Sequence, residues 1–164
     1  MYSIIRSLLS LGFVVVLALT GAGEVQAQRT LLHCGTLINP GVEDAPLSEQ
    51  TVIVEGQRVA AVESGFAEGQ PGDHVIDLRA AYCMPGLIDM HTHLSGEFEK
   101  GGYIDPFRMT PSEQALRASQ YVRTTLMAGF TTVRDVGGSE GIDIALRNAI
   151  NRGHIEGPRM FVAG

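Results

Sequence analysis

The sequence has no run of basic residues, no internal repeat and only two cysteines, Cys34 and Cys83. With a formal net charge of -6, the missing basic run argues against nucleic acid or an anionic membrane surface as a partner. Charged residues reach only 18% while hydrophobic residues make up 45%. That balance excludes a disordered chain, because there is ample apolar surface to bury. Both cysteines fall in predicted strands, and nothing in the sequence brings them together. An exported chain can oxidise them, but two buried thiols are the expectation.

One long hydrophobic run is present, from Leu8 to Leu19. Arg6 precedes it, and Val25-Gln26-Ala27 offers a small-residue cleavage site. This pattern predicts a signal peptide over 1–27, removed after Ala27, and export to the periplasm or beyond. A stable membrane anchor is the weaker reading, since a span wants ~20 apolar residues and the chain turns polar from Gly21. The leader carries one Arg and one Glu, so its loss leaves the charge at -6.

Residues 28–82 read as short strands. Leu31 to Ile38 is one, closed by Asn39-Pro40-Gly41. Thr51-Val52-Ile53-Val54 and Arg58-Val59-Ala60-Ala61-Val62 flank Glu55-Gly56-Gln57, which predicts a hairpin. The glycine-rich stretch Ser64 to Asp73 reads as a loop, and His74 to Leu78 as a further strand. Beyond Tyr82 the pattern changes. Leu87-Ile88-Asp89-Met90-His91-Thr92-His93 is a short apolar strand ending in two histidines. Ser95 to Met109 reads as a long loop. Thr110, Pro111 and Glu113 predict a capped helix start. Ala115, Ala118, Val122 and Leu126 form its apolar stripe, and Gly129 ends it. Thr131 to Val136 is the next strand, Gly141 to Arg152 the next helix, and Met160-Phe161-Val162 a third strand. Alternating strand and helix is the signature of parallel βαβ units. The expected class is therefore α/β.

Alternate strand residues share a face, so His91 and His93 point the same way, ~6.5–7 Å apart along the strand. Two imidazoles so placed can reach one metal ion at ~2.0–2.1 Å. They sit at the carboxyl end of their strand, where parallel α/β folds bind ligands. By the same alternation Asp89 shares their face, where it can orient a ligand histidine or contact substrate. Asp135 is a further candidate for that role, although a structural ion pair is its expected state. Tyr103 lies in the loop on the ligand-binding side. Gly137-Gly138 reads as a turn that can bring backbone close to a ligand. His33, His74 and His154 lack paired spacing and read as structural or surface residues.

Met84-Pro85-Gly86-Leu87-Ile88-Asp89-Met90-His91-Thr92-His93-Leu94 resembles the signature of the amidohydrolase superfamily of metal-dependent hydrolases. Gly35-Thr36-Leu37-Ile38 and Val52 to Val62 are similar to the strands of its N-terminal β-sandwich. Ala128 to Gly138 and Gly157-Pro158-Arg159-Met160 resemble barrel strands of the branch holding imidazolonepropionase-like enzymes and Xaa-Pro dipeptidases (prolidases). The resemblance implies a small β-sandwich over 28–82, followed over 83–164 by the first three strands and two helices of a TIM (β/α)₈ barrel. A whole barrel needs ~200–250 residues, so 164 residues imply a truncated one. The resemblance also implies one or two divalent metals, most often zinc, with His91 and His93 as ligands and a small-molecule substrate. The family's other ligands, and the aspartate that shuttles the proton, are expected beyond residue 164, so no catalytic residue is assigned here. Oligomeric state stays open. The implied reaction is hydrolysis of an amide or cyclic amide C–N bond, or of an Xaa-Pro dipeptide, and the piece alone is expected to be inactive. The alternative is a non-catalytic exported metal-binding or structural module.

Overall fold

A computed structural model of the chain describes residues 28–41, 45–97, 100 and 102–164. The expected leader over 1–27 lies outside the described residues.

Among the described residues up to Cys83, the regular elements are strands. β1 (Arg29–Leu37), β2 (Leu47–Glu55), β3 (Arg58–Ser64) and β4 (His74–Cys83) form one sheet in the order β3-β2-β1-β4. The predicted hairpin is present: β2 and β3 pair antiparallel, with Glu55 opposite Arg58 and Gly56 at φ 60° in the turn. That positive φ suits glycine in a tight hairpin. Thr51 fastens the loop after β3. Its hydroxyl donates to Gly65 O at 2.7 Å and accepts Ala67 N–H at 2.9 Å. His33 meets Ala67 O at 3.0 Å and the Phe66 ring, a structural role as expected.

β4 runs parallel to β1, with Cys34 opposite Leu78 and Thr36 opposite Tyr82. Two steps on β1 therefore match four on β4, and the surplus bulges over Gly35. A Cβ on Gly35 would stand 2.0 Å from Arg79 O, so the close approach requires glycine. Along this ladder Cys34 and Cys83 are joined by a disulfide, with Cα atoms 5.7 Å apart. The expectation of two free thiols is corrected here. The pairing of β1 with β4 brings the cysteines together, and that pairing leaves no local mark in the sequence.

The second half is a parallel sheet in the order β5-β6-β7, built from β5 (Leu87–Thr92), β6 (Phe130–Asp135) and β7 (Arg159–Val162). Its connections carry a 3₁₀ turn (Gly102–Ile104), α1 (Asp105–Arg108), α2 (Pro111–Met127) and α3 (Ile142–Asn151). The helix start at Thr110 is a complete capping box: Glu113 N–H reaches the Thr110 hydroxyl and the Glu113 carboxylate accepts Thr110 N–H at 2.8 Å. Gly129, at φ 96°, follows the C-terminal cap. Ala118 and Val122 of α2 pack with Val133, Ile142, Leu146 and Met160 into one core. The segment after Ser95 is not loop throughout. It contains the 3₁₀ turn and α1, and Asp105 ties α1 to α2 through a 2.6 Å ion pair with Arg117. Asp105 in the first turn and proline beside it are the start signals that mark this short helix.

Among the described residues no helix is long and apolar enough to cross a membrane.

Candidate metal centre

The βαβ units bring the ends of β5 and β6 together, and the candidate residues gather there. His91 lies in β5 and His93 just past its end. Their ring centroids are 5.5 Å apart, with planes at 73°. The two rings thus lie close together, edge to face, and both remain exposed.

His93 is held from the side. Its Nδ1 lies 2.9 Å from Gly137 O. A carbonyl oxygen only accepts, so Nδ1 carries a proton in this contact, which in a neutral ring leaves Nε2 as the acceptor nitrogen. The second glycine of the pair is the tightly packed one: a Cβ on Gly138 would stand 2.6 Å from the carboxylate carbon of Asp143. Beside His93 opens a cleft of about 390 Å³, lined by His93, Ser95, Gly96, Glu97 and residues 137–139.

The pairing of β5 with β6 slips between Asp89 and Thr92, where three steps on β5 match two on β6. Asp89 Oδ1 accepts the backbone N–H of His91 at 3.0 Å. Its observed partner is therefore the main chain at the slip and not an imidazole ring.

Asp135 is buried, at 1% exposure. The expected ion pair is not what satisfies it. Oδ2 accepts Leu94 N–H at 2.7 Å and Oδ1 accepts Gly137 N–H at 3.1 Å. Arg134, next along the strand, is exposed. Tyr103 is 82% exposed and does not line the cleft. His74 and His154 are on the surface. Among the described residues, no group of three or more His, Cys, Asp or Glu side chains converges as a metal site.

The sequence profile described as "Amidohydrolase family" matches residues 82–164. The chain belongs to the amidohydrolase family. Among solved structures it is similar to a Xaa-Pro dipeptidase with methionine bound in the active site, at 38% identity and a TM-score of 0.76, over 84% of this chain and 33% of that one. An adenine deaminase of Dehalococcoides mccartyi is 29% identical over 124 residues, 76% of this chain and 19% of that protein. An imidazolonepropionase of Pseudomonas aeruginosa is 29% identical over 143 residues, 72% of this chain and 35% of that protein. The amidohydrolase chain thus spans between a fifth and about a third of the length of these relatives. Its mixed α/β architecture agrees with that of the amidohydrolase structures.

Proposed function

We propose that this chain supplies the first metal-binding strand of a hydrolase that cleaves a C–N bond in a small molecule. The observation that carries the reading is the close approach of the His91 and His93 rings, with His93 Nδ1 held on Gly137 O. Imidazole nitrogens suit zinc and related divalent ions. Two of them fit two corners of a coordination sphere. One or two such ions, when bound, would polarise the scissile carbonyl and activate water.

The work of this chain's own residues is to bind and orient. His91 and His93 present ring nitrogens. Gly137 O keeps the His93 proton on Nδ1. Asp89 holds the backbone at His91, and Asp135 holds the backbone on either side of the cleft. The remaining ligands and the proton-carrying aspartate of the family are proposed to come from strands outside these 164 residues. The parts then take their family roles: 28–82 as one layer of a composite β-sandwich, 83–164 as the opening of a TIM barrel. The relatives' names, a dipeptidase, a deaminase and an imidazolonepropionase, support an amide, cyclic amide or Xaa-Pro dipeptide as substrate class. Export after cleavage at Ala27 is part of the same reading. The Cys34–Cys83 bridge supports it, since disulfides persist in oxidising compartments.

The test is zinc content and hydrolysis of an Xaa-Pro dipeptide and a cyclic amide panel by the intact protein. His91→Ala and His93→Ala should each lower zinc occupancy and abolish turnover. Unchanged zinc stoichiometry in the double variant would overturn the reading.

A further inference from the structure

Asp135 closes a ring of contacts around one imidazole. One carboxylate oxygen holds the N–H of Leu94, the residue after His93. The other holds the N–H of Gly137, whose carbonyl holds His93 Nδ1. The His93 backbone and the His93 ring are thus fixed to the same buried group, one directly and one through a single residue. A carboxylate at 1% exposure would be costly without partners, and two charge-assisted bonds to backbone amides stabilise it. No side-chain cation is needed to explain its burial.

We propose that Asp135 is a positioning residue for His93, setting both the place of the ring and which nitrogen faces the cleft. The consequence for metal affinity rests on the function proposed above; the consequence for the ring does not. Each oxygen of the Asp135 carboxyl accepts one backbone N–H. An asparagine has one acceptor oxygen and turns an NH₂ toward one of the two N–H donors. Asp135→Asn therefore releases either Leu94 or Gly137, and with it one side of the clamp on His93.

The experiment uses the intact protein in two states. In the metal-free state, long-range ¹H–¹⁵N spectra at fixed pH report the His93 tautomer. Wild type should show the proton on Nδ1, and Asp135→Asn a mixture of tautomers. In the second state Co²⁺ is titrated and its visible bands are followed. Asp135→Asn should bind about 10–100-fold more weakly, the range for lost partners of ligand histidines, with altered band positions. A wild-type tautomer together with Co²⁺ affinity within twofold of wild type would overturn the proposal. Should the variant not fold, the wild type decides: slow amide exchange at Leu94 and Gly137 supports the clamp, and rapid exchange at both overturns it. Failure of wild type to bind Co²⁺ at the histidines would sink the metal reading, while the tautomer comparison still judges Asp135.

Discussion

Cys34 and Cys83 join β1 to β4, the strand that leads directly into the histidine-bearing β5. They stand 49 residues apart in sequence. Closing a loop of that length restricts the unfolded chain by up to about 4 kcal/mol on the loop-entropy account. Cys34→Ser with Cys83→Ser, or reduction by a dithiol, should therefore lower stability by about 2–4 kcal/mol. Urea unfolding with and without reductant measures it. Equal midpoints would contradict a closed bridge in the folded protein.

The core between the helices and the parallel sheet gives a second expectation. Leu146 is buried at 3% exposure, against Ala118, Val122 and Val133. Leu146→Ala should cost about 2–5 kcal/mol through lost burial and the cavity left behind. Chemical denaturation reads it, and a change under 1 kcal/mol would show that α3 is not docked as described.

A third concerns the turn beside His93. Gly138→Ala places its Cβ 2.6 Å from the Asp143 carboxylate carbon and 2.8 Å from its Cβ. Asp143 is fully buried and its Oδ2 accepts Gly164 N–H at 3.0 Å, so it has little freedom to retreat. The substitution should cost about 1–3 kcal/mol, the usual range for overpacking. Thermal unfolding followed by circular dichroism would show the loss.

A fourth depends on pH. Bonds from the Thr110 backbone N–H and then its hydroxyl hold the Glu113 carboxyl below its ordinary value of 4.5. A carboxylate depressed in the folded state stabilises above its unfolded pKa, and that contribution fades as pH falls through the folded one. Wild type should melt above Glu113→Ala at pH 7, and the gap should narrow steadily below about pH 4.5. A gap that stays constant down to pH 2.5 would rule out the carboxylate as its source.

What could be read from the sequence was local. Thr110, Pro111 and Glu113 announce a helix start within four residues. Gly56 marks a hairpin turn. The spacing of His91 and His93 places two rings together whatever lies around them. What could not be read depends on pairing between distant segments. The parallel contact of β1 with β4 determines whether the cysteines meet, and neither strand advertises its neighbour. The slip between β5 and β6 falls just after Asp89, and such an unpaired residue leaves no mark in the sequence. Asp135 is the most instructive case. A buried aspartate at a strand end suggests an ion pair, yet its partners are backbone N–H groups, which carry no residue-type signal at all.

Gly137 carries this last point further. It serves the histidine through its carbonyl and the aspartate through its N–H, atoms that every non-proline residue shares. A methyl group added there would meet His93 Cε1 at an ordinary 3.8 Å. An alanine scan across this turn should therefore pass over Gly137 in silence. Its contribution would surface only when the peptide link itself is altered, as by an ester in place of the amide.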